Sequence, residues 1–187
     1  MPNWTFNKLR VTDRLWEKDD KLKTKEEKAT RKQLKAFVKS SIIEIKEDDG
    51  RKTEKLTFEG VLPRPKDLDI TCGTQDDKEK AQAQINRKKY GYPTWYEWNI
   101  NNWGTKWDAC NSFVSNDSDR GELEVDFDTA WSPPLEWLQA ATDKYPKLHF
   151  DMGVTEESNA FVGHPTAHNG RVCLNITDVE YPEEGNE

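Results

Sequence analysis

The chain has 187 residues, 34% of them charged and 34% hydrophobic, with a net charge of −7. That apolar share is low for a globular domain. Even so, 11% aromatic residues, each able to bury roughly 150–250 Å², argue against a disordered chain and predict a core built on Trp, Phe and Tyr. A length little above the roughly 150 residues of an average domain predicts a single domain, here 1–178, followed by an acidic tail at 179–187.

The start is polar, and no apolar run approaches the roughly 18 residues that a membrane span needs. Cys72, Cys110 and Cys173 are odd in number and widely spaced, which predicts neither a disulfide framework nor a zinc site but a reducing, cytoplasmic setting. The sequons at Asn3, Asn116 and Asn175 would then be accidental. Charge is unevenly spread: residues 1–90 carry 23 Lys/Arg against 17 Asp/Glu, and residues 91–187 carry 5 against 18. The split predicts either two electrostatic faces, the acidic one repelling nucleic acid, or simply two solvated halves.

In chain order, "WTFNKLRVT" alternates as a strand, with Trp4, Phe6, Lys8 and Arg10 on one face and Leu9 and Val11 on the other. "TKEEKATRKQLKAFVKSS" reads as a helix opened by a capping box, Thr24 with Glu27, and burying Leu34, Phe37, Val38 and Ser41. Two alternating runs around Asp49-Gly50 suggest a hairpin, ended by Pro63 and Pro65; a continuation of the helix to about Glu47 is the alternative. Residues 76–89 read as a peripheral helix stopped by Gly91. The segments around 41–55 and 72–92 look inserted.

Residues 95–107 hold four of the eight tryptophans. Thr94 and Glu97 have capping-box spacing and Gly104 is a stop, so 95–103 predicts a short helix with Trp95, Tyr96, Trp98, Ile100 and Trp103 on one arc. Trp107 would open a strand with Ala109 and Phe113 on its side. With Trp131, these tryptophans (Trp95, Trp98, Trp103 and Trp107) are expected to clasp the core, a ligand platform being the alternative.

"GELEVDFDTAW" puts Leu123, Val125 and Phe127 inward and Glu122, Glu124, Asp126 and Asp128 outward, carboxylates roughly 7 Å apart. This reads as a one-sided strand whose charges deter edge pairing, as an acidic surface imitating a phosphate backbone, or, weakly, as a metal site. "SPPLEWLQAATDKYP" is a helix with Ser132 as cap and Pro146 as terminator. "KLHFDMGV", "NAFVG" and "RVCLNIT" read as strands and "HPTAHNG" as a loop. The order of elements predicts an α+β fold with helices on an antiparallel sheet.

"MPNW" with "NKLRV", "LTFEGVLPRPKDL", "WYEWNINNWGTKWDA", "FDTAWSPPLEWL", "YPKLHF" and "NAFVG" together resemble the ferredoxin-like domain proteins of bacteriophages and plasmids, the YubB-type family. The resemblance implies a βαββαβ core and a mobile-element origin, and it carries over no catalytic residues.

No GxSxG, HExxH, P-loop or GxGxxG motif occurs. His149 sits in a strand-like run. His164 and His168 flank a loop and read as turn residues before ligands or bases, while Cys110 and Cys173 read as small core residues. The expectation is a non-enzyme without cofactor or metal. It would bind a host protein, such as a nucleic-acid-targeting defence factor, through Glu122, Glu124, Asp126 and Asp128. The alternative is a single-strand nucleic-acid module stacking bases on Trp4 and Phe6 beside Lys8 and Arg10.

Overall fold

The computed structural model describes residues 3–13 and 24–179; the acidic tail from residue 180 onward lies outside them. Strand β1 (Trp4–Thr12) alternates as its sequence does, burying Thr5, Asn7, Leu9 and Val11 and exposing Phe6 and Lys8. It pairs antiparallel with β5 (Glu122–Ala130) on one side and β6 (His149–Glu156) on the other. Beyond β5 lies β4 (Cys110–Asp117), giving the order β6-β1-β5-β4. Helix α1 (Lys25–Ser41) follows β1, and α4 (Leu135–Lys144) connects β5 to β6. This is a ferredoxin-like βαββαβ core with both helices on one face of an antiparallel sheet.

The short strands β7 (Phe161–Gly163) and β8 (Thr166–His168) share the free edge of β6, and β9 (Arg171–Cys173) and β10 (Ile176–Asp178) pair with β8 and β7. Two sequence expectations change here. "HPTAHNG" is not all loop, because Thr166–His168 pairs with Asp151–His149; and "RVCLNIT" is two strands, not one.

Thr24 caps α1 reciprocally: its Oγ1 accepts the Glu27 N–H at 3.1 Å and its own N–H donates to Glu27 Oε2 at 2.8 Å. The helix stops at Ser41 and does not run on to Glu47. Ile42, Ile43 and Ile45 are β-branched and better suited to a strand, so the chain turns into the hairpin β2 (Ile42–Lys46) and β3 (Lys52–Leu56). That hairpin ends at Leu56, well before Pro63, because Phe58 turns into the core in a 3-10 turn, Phe58–Gly60. Gly60 is required there, since a Cβ would lie 1.9 Å from the Ser40 carbonyl oxygen.

A second 3-10 turn, Lys66–Leu68, leads to α2 (Asp77–Tyr90), which is capped by Asp76 and closed by Gly91 in the left-handed region. Asn86 is its one buried residue, donating to the Asp67 and Pro93 carbonyls at 2.7 and 3.1 Å. Next comes α3 (Trp95–Asn102). Between α1 and β4, then, the chain inserts a hairpin, two turns and two helices into the ferredoxin-like order.

The core is aromatic. Phe58 meets Trp137, Trp103 and Phe127 at ring distances of 4.9, 5.7 and 5.9 Å, and Phe37 meets Tyr145, Phe150 and Trp137 at 5.4, 5.5 and 6.3 Å. Trp137, which the motif reading left out of the cluster, is fully buried between these two hubs.

Other local expectations are corrected. Thr94 caps α3 from one side only, accepting the Tyr96 N–H at 3.3 Å while its hydroxyl donates to the Glu97 carboxylate. Asn99, not Ile100, faces inward, donating to the Lys106 carbonyl at 2.7 Å; Ile100 is 38% exposed. Ser132 donates to the Gly104 carbonyl at 2.6 Å instead of capping α4, which starts after Pro134.

Candidate functional site: the open face of the sheet

Helices cover one face of the sheet. The other face carries the outward residues of β1, β4, β5 and β6, and the strand register fixes their neighbours. Lys8 lies between Asp126 and Gly153, Arg10 between Glu124 and Asp151, and Phe6 between Asp128 and Thr155. The two residue sets that the sequence offered for opposite functions, the acids of β5 and the Trp-Phe-Lys-Arg row of β1, are therefore adjacent rows of one surface.

Adjacency alters both sets. Arg10 donates to Glu122 and lies 3.8 Å from Glu124, so two of the four carboxylates are already matched. Asp128 accepts the Asn111 side-chain N–H at 2.7 Å. Asp126 faces Lys8 across one ladder and Phe113 across the other. Nor is β5 a candidate edge strand. It pairs on both sides, so its charges cannot serve to deter edge pairing.

Phe113 was expected inside and is 71% exposed. The register slips between Cys110 and Phe113, where Asn111 adopts φ 46°, and this bulge turns the following side chains over. With Phe6 (50% exposed) and Val162 of β7, Phe113 gives the face exposed apolar groups among its charges.

A groove of about 490 Å³ runs along this face, lined by Phe6, Lys8, Asp126, Asp128, Thr155 and Val162. Its floor opens at Gly153, where β6 contributes no side chain and a Cβ would meet nothing closer than 3.9 Å. Alternation in β1 and β5 was enough to find Phe6, Lys8, Asp126 and Asp128. Phe113 and Val162 were missed, since a bulge and a three-residue strand break the period that would have exposed them; Gly153 was missed although β6 alternates regularly, because glycine adds no side chain to the pattern.

At the end of the face, a cavity of about 690 Å³ is bounded by Arg10, His149, Asp151, His168 and Arg171. The rings of His149 and His168 stack at 3.7 Å and 13°, and His168 Nδ1–H donates to the Leu148 carbonyl at 3.0 Å. His164 pairs with Asp151. Among the described residues no group of three or more His, Cys, Asp or Glu is placed to hold a metal ion. Burial pushes the half-buried Cys110 thiol up, away from thiolate chemistry, and Cys173 is exposed and not a core residue.

The tryptophans divide in two. Trp98 and Trp103 are buried, and the Trp103 indole N–H donates to the Leu62 carbonyl at 2.9 Å. Trp95 and Trp107 are partly covered, and Trp131, with φ 69°, is 45% exposed and outside the core. Trp4 packs beside Trp107, 6.0 Å away between ring centroids. Lys106 binds this outer group, its Nζ lying 4.6, 5.1 and 5.7 Å from the rings of Trp107, Trp131 and Tyr96.

Residues 103–187 match the family model described as the ferredoxin-like domain in Api92-like protein. A crystal structure of the protein Api92 from Yersinia pseudotuberculosis superposes over 97% of this chain and 99% of its own, with 11% sequence identity and a TM-score of 0.47. No curated protein matches the sequence. Among the described residues no helix is long and apolar enough to cross a membrane.

Proposed function

We propose that this protein is a non-enzymatic accessory product of a phage or plasmid, of the YubB-type kind, that works in the bacterial cytoplasm by docking another protein on the open face of its sheet. The mobile-element origin is supported by the sequence resemblance. The docking role is supported by the groove of about 490 Å³, in which Asp126 and Asp128 lie beside exposed Phe6 and Val162. The partner's chemistry follows from that lining. It presents basic side chains to carboxylates that Arg10 leaves unmatched, and apolar groups to the rings. Aromatic anchors among charges of both signs give affinity at the centre and orientation around it. A host defence protein that grips nucleic acid has such a basic surface, and it is the partner proposed here.

Single-strand binding by Trp4, Phe6, Lys8 and Arg10 has less support. Arg10 is committed to Glu122, Lys8 sits opposite Asp126, and Trp4 packs on Trp107. Little uncompensated positive charge remains to track phosphates.

The test is Asp126→Lys with Asp128→Lys, measured on the purified partner. Affinity is expected to fall at least about 10-fold, roughly 1.4 kcal/mol, with near-ultraviolet circular dichroism unchanged. A complex of undiminished affinity contradicts the proposal. A complex that nuclease destroys would transfer the role to the nucleic-acid reading.

A further inference from the structure

The inserted segment between α1 and β4 builds a cavity of its own, about 370 Å³, away from the groove residues. Glu59 comes from the first 3-10 turn, Asp69 from just past the second, Trp95 from the start of α3, and Trp107 and Asp108 from the approach to β4, with Asn99, Trp103 and Arg64 completing the lining. Three carboxylates thus share a cavity with three indoles and one guanidinium.

Most of the polar groups are already committed. Arg64 donates to Asp69 at 2.6 Å and to Asn99 Oδ1 at 3.0 Å, with its guanidinium 5.5 Å from the Trp103 ring. Asp108 accepts from the Thr57 hydroxyl and the Phe58 and Ala109 N–H groups at 2.7, 2.7 and 2.8 Å. Glu59 differs: Oε2 accepts the Arg64 N–H at 2.9 Å, while Oε1 takes no hydrogen bond among the described residues. Burial raises the Glu59 carboxyl above its ordinary range, against the opposing pull of Arg64. A half-desolvated carboxylate facing indoles is stabilised by a cation, and an indole face attracts one. One of these indoles, Trp107, already takes part in a cation contact with Lys106, which also lies against Trp131 and Tyr96.

We infer that this cavity binds a guanidinium or alkylammonium group carried on a short apolar stem, the chemistry of an arginine side chain, between Trp95 and Trp107 and against Glu59. The site is independent of the sheet groove and stands whether or not that groove docks a protein.

The experiment follows the tryptophan indole N–H signals of the full chain by NMR during titration with acetyl-arginine amide, methylguanidinium and the neutral isostere acetyl-citrulline amide. Saturable shifts at Trp95 and Trp107 are expected with acetyl-arginine amide. They should be weaker by about 10-fold or more with citrulline, which has no charge for the rings and Glu59 to attract. Glu59→Gln, which keeps an acceptor for the Arg64 N–H, should weaken arginine binding similarly, and Gly153→Val should leave it unchanged. Equal binding of methylguanidinium assigns the site to small cations, and tighter binding of the amide assigns it to a peptide side chain. No saturable shift, or citrulline binding as well as arginine, overturns the inference.

Discussion

Trp103 and Trp131 differ in almost everything except side-chain type. Trp103 is closed in by Phe58 and Trp98 at 5.7 and 5.4 Å and satisfies its indole N–H on Leu62. Trp131 lies in the left-handed region with its ring half in water, held by Lys106. Trp103→Ala should therefore cost about 3–5 kcal/mol, comparable with much of a domain's stability. Trp131→Gly should cost less than about 1 kcal/mol, since it removes a strained φ along with an exposed contact. Urea unfolding of the two variants checks this, and equal losses would contradict the division of the tryptophans into core and surface groups. Composition alone could not separate them, because the sequence pattern around Trp131 shows alternation but not the change of φ that swings the ring outward.

At the scale of elements, readability tracked local regularity. The Thr24–Glu27 box, the alternation of β1 and β5 and the Gly91 stop are each written within a few residues, and each appears in the structure. Readings that failed crossed an irregularity. Phe113 was assigned to the wrong face because one bulge resets the period, and Thr166–His168 was hidden because its strand exists only by pairing with β6. The bulge makes its own prediction. Asn tolerates positive φ where a β-branched residue does not, so Asn111→Val should destabilise by roughly 1–2 kcal/mol while Asn111→Gly stays close to wild type. Hydrogen exchange along β4 should show the loss there first. Protection unaltered by Asn111→Val would mean that the bulge is not fixed by residue 111.

Over the whole molecule, part of the charge split of the sequence is met by contacts between its two halves. Arg10 pairs with Glu122, Arg31 donates to the Asp119 carbonyl of the β4–β5 turn, and Lys35 lies 2.6 Å from Asp119. The basic first half and acidic second half meet along the β1–β5 ladder, so neither row could be read correctly without its neighbour. What Arg10 does not pair there, Asp126 and Asp128 with exposed Phe6 and Val162 around the bare floor at Gly153, is the surface on which the functional account depends.

Gly153→Val tests that account most directly. Valine suits a strand, and the position has room for its Cβ, so the fold should be retained while the groove is filled. Nuclease-treated bacterial lysate would be passed over wild-type and Gly153→Val protein, and each retained protein would be purified and its affinity measured. The account predicts a partner that binds the wild type and loses at least about 10-fold in affinity for the filled groove. If every partner binds both proteins equally, the open face of the sheet is not the docking surface.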